Sequence, residues 1–267
     1  VVAVEDKRWG ALAVDPDEKS LPGLKARYLV KHTPDRGTVL DVGCGEGKFL
    51  RTLAREKPEL SLIGCDIQEP ANIDCFEFRP IKDGIPAPDA SVDVVLLFDV
   101  LEHVPDPGDL LSDAKRVLRP DGVLVAFVPI EGETFSAYTL YKLLLGKDTY
   151  VDTKEHIQAF SHRALGDLVK KRFSLEDWTY AYHAFGHVMD ASFFAAQKLN
   201  ALRRFWWQDN RYYAGGQDEE RESSMSAASR VLNLALGAAN AVAWAESSAL
   251  ANVRFLSAGA LFSARKS

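Results

Sequence analysis

Residues 39–50 read VLDVGCGEGKFL, and this stretch decides the fold. It begins as a short apolar run that carries one acid, Asp41. A glycine-rich turn follows, Gly43-Cys44-Gly45-Glu46-Gly47, and Lys48-Phe49-Leu50 opens a helical pattern. Strand, glycine turn and helix start together make a ligand-holding unit, because glycines let a backbone approach a bound molecule closely. The P-loop pattern G-x-x-x-x-G-K-[ST] does not fit. Val42 stands where its first glycine belongs, and Phe49 follows Gly47-Lys48. The dinucleotide pattern G-x-G-x-x-G fits poorly, since the third glycine falls at Gly47 and Lys48 occupies its usual place.

Around this unit the chain alternates strand and helix signals. LSLIGCDI, CFEFRPI, VDVVLLFDV and GVLVAFVP read as strands. The continuous β-branched runs suit strands buried on both faces. GKFLRTLAREKP reads as a helix, as does PGDLLSDAKRVLRP, which starts near Pro107 and is stopped by Pro120 and Gly122. This alternation predicts an α/β fold with a parallel, doubly wound sheet. Beyond Pro129 the pattern changes. TFSAYTLYKLLLG reads as a helix, SHRALGDLVKKRF as a helix capped by Ser161, FSLEDWTYAYH as a strand and RFLSAGALFSARK as a final strand.

The chain has 267 residues, enough for one large domain. A hydrophobic share of 47% and a charged share of 26% are those of a soluble globular protein. A formal charge of −6 gives no footprint for nucleic acid. Cys44, Cys65 and Cys75 form neither a disulfide framework nor a zinc module, which points to a reducing, cytoplasmic setting. The opening VVAVEDKRWG lacks the features of a secretory signal.

Two acids discriminate the ligand. Asp41 ends the first strand, where a carboxylate disfavours a pyrophosphate and favours an ammonium or sulfonium group. Asp66 ends the second strand and is placed to accept hydrogen bonds from both hydroxyls of a ribose. Ribose and cation without phosphate describe S-adenosylmethionine (SAM).

VLDVGCGEGKFL, LIGCDI and GIPAPDASVDVVLLFDVLEHVPDPGDLLSDAKRVLRPDGVLVAFVP resemble the class I SAM-dependent methyltransferases. Within them, the chain is similar to the type-11-like group with LEHV.DP after strand four. The resemblance spans about Lys25 to Pro129. It implies a Rossmann-like, doubly wound seven-stranded sheet of order 3-2-1-4-5-7-6, with strand seven antiparallel. It further implies that residues 25–183 and 251–267 form the SAM-binding core, after an N-terminal segment 1–24. Residues 184–250 are then a helical insertion between strands six and seven, a lid or specificity element.

The resemblance also assigns roles. Gly43, Cys44 and Gly45 give the backbone approach to SAM, Asp41 orients the methionine ammonium, and Asp66, with Ile67 beside it, holds the ribose. Relatives carry an acid at the adenine end that this chain lacks near Ile81, so the backbone of Ile81 and Lys82 is expected there instead. Phe98, Asp99 and Val100 pass under the sulfonium. His103 lies in the loop where acceptors approach, and an imidazole there suits a general base. His156, after strand five on the same sheet edge, is expected to face the acceptor. No metal is expected. His183, His187 and Asp190 have helical spacing, but Gly186 interrupts them and H-E-x-x-H is missing.

The expected reaction is in-line methyl transfer from SAM to oxygen, nitrogen or carbon of a small or amphipathic acceptor, leaving S-adenosylhomocysteine. The alternative is a SAM-binding regulatory or inactive protein of the same fold. The insertion is rich in aromatic and basic residues, Arg203, Arg204, Trp206, Trp207, Arg211, Tyr212 and Tyr213. These suit packing over the site, a lid on an apolar acceptor, or peripheral contact with a membrane. Its alanine-rich helix is too short and too polar to span a bilayer.

Overall fold

The computed structural model of the protein describes residues 13–133, 136, 138–139, 142–143, 155–196 and 225–266. The first helix, α1 (Leu21–His32), starts where the Ser20 hydroxyl accepts the Gly23 amide at 3.0 Å and Pro22 lies in the first turn. Then come β1 (Gly37–Val42), α2 (Lys48–Glu56), β2 (Leu60–Asp66), β3 (Glu77–Pro80), β4 (Val92–Phe98), α3 (Pro107–Val117) and β5 (Leu118–Pro129). The remainder comprises α4 (His162–Lys170), β6 (Phe173–Ala181), α5 (Ala184–Ala196), α6 (Ala227–Ala249) and β7 (Gly259–Lys266).

The strands form one sheet of order β3-β2-β1-β4-β5-β7-β6. From β3 to β5 all neighbours are parallel, and β7 runs antiparallel to both β5 and β6. This is the order the resemblance implied. Alternation along the strands divides the core into two layers. Leu40, Val42, Val95 and Leu97 pack with Leu111, Ala114 and Val117 of α3 and Leu165 and Val169 of α4. Val39, Val94, Leu96 and Phe98 pack with Leu29 of α1, Leu50 and Leu53 of α2 and Ala243 of α6. Both faces are covered, which is why these strands are apolar throughout.

Several boundaries differ from the sequence reading. Asp106 and Pro107 start α3 as expected, with the Asp106 carboxylate accepting the Asp109 amide at 3.0 Å. The helix ends at Val117, however, and β5 begins at Leu118, so Pro120 and Gly122 lie within the strand's span rather than before it. The cause is pairing: Val92 of β4 already meets Leu118, before the register shifts to Val94 and Val123. The last strand starts at Gly259, five positions later than RFLSAGALFSARK begins. Ser161 caps α4 as expected, accepting the Ala164 amide.

Between β6 and β7 the chain forms α5 and α6, which pack on each other, while α6 also packs on α1. Gly186 does not break α5. It sits in the first turn, where an added Cβ would lie 3.5 Å from the Ala243 Cβ of α6. The Glu246 carboxylate of α6 accepts the amides of Phe185 and Gly186, which caps α5 from its neighbour. Most of TFSAYTLYKLLLG lies outside the described residues. So do Arg203, Arg204, Trp206, Trp207, Arg211, Tyr212 and Tyr213.

Candidate active site

All the parallel strands end on one edge, and the glycine turn after β1 is built there. Gly43 and Cys44 donate their amides to the Cys65 carbonyl at 2.8 and 3.2 Å, which pins the turn to β2. Gly43 adopts φ 74°, and a Cβ there would lie 2.8 Å from Val100 Cγ2. Only glycine satisfies both constraints, so β1 and the chain after β4 approach within van der Waals contact. Gly45 donates to Asp66 Oδ2 at 2.9 Å, and Gln68 donates to Asp66 Oδ1 at 3.2 Å. The Asp66 carboxylate thus faces the turn from the end of β2.

Asp41 is 2% exposed. Burial, and secondarily the neighbouring Asp66 charge, push its carboxyl up to about 8. Cys44 is raised by burial and then by the same two acids, so it is an unreactive thiol at neutral pH. The turn and its acids therefore form an acidic cup in which burial keeps Asp41 largely protonated at neutral pH. A bound cation at Asp41 would relieve the cost of ionising it.

Phe98 closes the floor, its ring 4.5 Å from that of Phe49. Asp99 then turns the chain with φ 56°, a strained value for a non-glycine residue that is common at functional sites. Its amide donates to the Phe127 carbonyl at 3.0 Å. Its carboxylate accepts both contacts of Lys25 Nζ, at 3.0 and 2.7 Å. Lys25 comes from α1 and rests 3.6 Å over the Phe127 ring. The Lys48 ammonium is lowered to about 8 by burial and then by Lys25, which brings a second cation to the cup. Neither lysine was singled out in the sequence. In the sequence Lys25 only opens the stretch that carries the resemblance, and Lys48 only departs from two glycine motifs.

At the adenine end the expectation is narrowed. The Ile81 amide donates to the Asp66 carbonyl at 2.8 Å, extending the ladder between β2 and β3, so it is committed to the fold. Lys82 is exposed beside it. Ile67 is 80% exposed, a large apolar side chain standing next to the Asp66 carboxylate.

The structure brings His103 and His156 together. Their rings are 4.8 Å apart and cross edge to face at 80°. The cause is a clamp: the amides of Ile157 and Gln158 both donate to the Glu102 carbonyl at 3.0 Å. The Gln158 side chain also donates to the carbonyls of Val104 and Pro105. His103 Nδ1 lies 2.9 Å from the Glu155 carbonyl oxygen, and His156 Nδ1 lies 2.9 Å from Glu131 Oε1. A carbonyl can only accept, so His103 carries its proton on Nδ1. Glu131 follows β5 and is buried. Glu102 is 1% exposed, and burial, then Asp99, hold its carboxyl well above the usual range. His103 is lowered by desolvation and then by His156. Glu102 and Glu131 were missed in the sequence. An acid beyond a parallel strand at the ligand edge was the available signal for Glu131.

His183 and His187 do not converge. His183 Nε2 meets the Val253 carbonyl at 2.8 Å, and His187 Nε2 meets the Ser136 hydroxyl at 3.3 Å. The Asp190 side chain lies outside the described residues.

An acidic glycine turn on the carboxyl edge of a seven-stranded sheet with one reversed strand narrows the class of protein. A family model described as a methyltransferase domain matches residues 18–204, and the chain belongs to that family, the SAM-dependent methyltransferases. It is 33% identical over 159 residues to a probable SAM-dependent methyltransferase of Mycolicibacterium smegmatis. That alignment covers 55% of this chain and 56% of the relative. It is 30% identical over 133 residues to the ubiquinone biosynthesis O-methyltransferase of Xylella fastidiosa, covering 45% and 53%. The chain thus spans about half the length of these curated relatives. Among solved structures, the [4+2]-cyclase SpnF superposes with a TM-score of 0.58 at 16% identity, covering 99% of this chain and 87% of that one. Geranyl diphosphate C-methyltransferase from Streptomyces coelicolor gives 0.54 at 13% identity, covering 92% and 81%. These two likenesses concern the fold alone.

Proposed function

We propose that this chain transfers the methyl group of SAM to a hydroxyl oxygen of a small or amphipathic acceptor. The observation that carries this reading is the pairing of two devices on one sheet edge. The acidic cup of Asp41, Gly43, Cys44, Gly45 and Asp66 lies on one side, and the Glu102–His103–His156 cluster on the other.

The cup fits SAM on its own chemistry. Asp41 is buried, and burial with the Asp66 charge raises its carboxyl, so the ammonium of the methionine part would favour its ionised form, while the positive φ of Gly43 holds the turn close against Val100. Asp66 takes the ribose, and Ile67 offers an apolar surface to the flat base. The backbone of Lys82 is the candidate for the base edge. Lys25 and Lys48 attract the methionine carboxylate, competing with Asp99 for it. Phe98, Asp99 and Val100 form the wall beneath the sulfonium. When bound, SAM supplies a methyl group activated by the sulfonium, and displacement leaves a neutral thioether in S-adenosylhomocysteine. The protein's task is to align the acceptor oxygen in line with that methyl and to exclude water.

His103 and His156 are the groups proposed to activate the acceptor. They receive its hydroxyl and favour its ionised form, with Glu131 and the Glu155 carbonyl fixing the imidazoles in place. An oxygen nucleophile needs such help more than an amine does, because its proton must leave for it to attack at neutral pH. Exposed Val231, Leu234 and Val242 on α6 give the insertion an apolar face that suits an acceptor with an apolar part. Among the described residues no helix is long and apolar enough to cross a membrane.

The test uses SAM labelled in its methyl group and a whole-cell extract. The products are partitioned between organic solvent and water, then located by mass spectrometry. Methyl on a hydroxyl oxygen is the expected result. Methyl on nitrogen or carbon overturns the oxygen assignment, and no transfer to any extract component favours a SAM-binding protein without transferase activity.

A further inference from the structure

The cluster has a feature that acceptor binding alone leaves unexplained. Both carboxylate oxygens of Glu102 are buried and have no hydrogen-bond partner among the described residues. An unpaired buried carboxyl costs free energy, and far more so if it ionises. Two imidazole nitrogens lie near it. His103 Nε2 lies 3.9 Å from Glu102 Oε1, and His156 Nε2 lies 4.0 Å from the same oxygen. These distances are too long for hydrogen bonds.

We infer that Glu102, His103 and His156 hold a divalent transition-metal ion, and that this ion binds and ionises the acceptor oxygen. One ligand atom from each residue lies within 4.8 Å of the others. A point equidistant from three atoms so spaced is at most about 2.5 Å from each, so shifts of a few tenths of an ångström reach the ~2.0–2.2 Å of metal–ligand bonds. The tautomers suit this role. His103 donates its Nδ1 proton to the Glu155 carbonyl, and Glu131 accepts from His156 Nδ1, so Nε2 is the lone-pair nitrogen of each ring and the one within 4.0 Å of Glu102 Oε1. Metal-binding histidines are held by this kind of outer partner. The clamp of Ile157 and Gln158 on the Glu102 carbonyl fixes the three groups to one another without any ion.

Two imidazoles and one carboxylate select the ion. Magnesium and calcium favour all-oxygen ligation, whereas zinc, iron, cobalt and manganese accept nitrogen. Three protein ligands leave open positions, the arrangement of catalytic sites. With the ion in place the two imidazoles would serve as its ligands rather than as bases, and an acceptor hydroxyl entering an open position would lose its proton to water, since a bound cation strongly acidifies its ligands. No local spacing signals this cluster, because His156 lies 53 positions after His103.

This inference rests on the methyl-transfer reading only for the ion's role in activating the acceptor; the ion's binding stands apart from it, and the experiment separates the two. Chelator-stripped full chain, without SAM or acceptor, is titrated with Co²⁺ while its visible absorption is recorded. One saturable equivalent is expected, with affinity at least tenfold lower in His156→Gln and in Glu102→Gln, and about 10–100-fold lower in Glu131→Gln. If a variant fails to fold, the wild-type chain is labelled with diethylpyrocarbonate and its peptides weighed. Co²⁺ should shield His103 and His156 while leaving His32 labelled. No saturable uptake, or equal uptake in the folded variants, overturns the metal site. Uptake without methyl transfer to any acceptor overturns the methyl-transfer reading and leaves the site standing. Full transfer by the stripped chain overturns the ion's role in the reaction.

Discussion

The two halves of the sheet are built in different ways. From β1 to β4 the ligand edge is made by one run of chain, and each device lies next to the strand that carries it. Asp41 and the glycine turn follow from β1, Asp66 from β2 and Asp99 from β4. Beyond β5 the edge is assembled from distant pieces. His156, 53 positions after His103, reaches it only because the neighbouring amides of Ile157 and Gln158 are clamped to the Glu102 carbonyl. On the proposed roles, cofactor chemistry is local while acceptor chemistry depends on tertiary contacts. Changes in the first half should therefore act on SAM binding, and changes in the second on turnover.

Predictions that would break this division run from large effects to small. His156→Ala should lower turnover about 10²–10⁴-fold with SAM affinity unchanged, measured by steady-state kinetics once an acceptor is in hand. A parallel loss of SAM affinity would merge the two halves into one unit. Leu97→Ala, in the layer shared by β4, α3 and α4, should destabilise the fold by about 2–5 kcal/mol in urea unfolding. A smaller cost would mean that the sheet centre collapses around the lost volume.

The pH dependence is the next sharpening test. The Asp41 carboxyl is raised from an ordinary value near 3.8 to about 8, so the folded, ligand-free protein holds a proton there that the unfolded chain releases. Stability from this group is therefore present below about pH 4 and is lost as pH rises towards 8. SAM affinity should move the other way, rising by up to ~10-fold per pH unit between 6 and 8, because the ammonium favours the ionised carboxylate. Asp41→Asn should flatten the profile in calorimetric titrations, and an unchanged slope would assign the proton elsewhere. The smallest effect belongs to Ser161→Ala, which removes the α4 cap for about 1 kcal/mol and should leave SAM affinity untouched.

The same division governs what the sequence made legible. The strand order and reversed β7 follow from the resemblance of one contiguous stretch, and the positions of Asp41, Asp66 and His103 on the ligand edge follow from strand ends alone. The α3–β5 boundary was misjudged because Pro120 and Gly122 are local breakers, whereas pairing of Val92 with Leu118 is a tertiary effect. Gly186 was taken as a helix breaker, yet it fits where Ala243 comes near, a contact invisible from spacing. Lys25, Lys48, Glu102 and Glu131 were not assigned because their roles come from neighbours across the fold. A buried acid or a paired lysine has no pattern of its own in the chain.

The most direct test of the account is a calorimetric titration of SAM into the wild-type chain, Asp66→Ala and His156→Ala. The account predicts binding to wild type and His156→Ala with the same Kd. It predicts roughly 100-fold weaker binding to Asp66→Ala, as expected for losing two charge-assisted hydrogen bonds to ribose. No binding to the wild-type chain, or equal binding to Asp66→Ala, would contradict it.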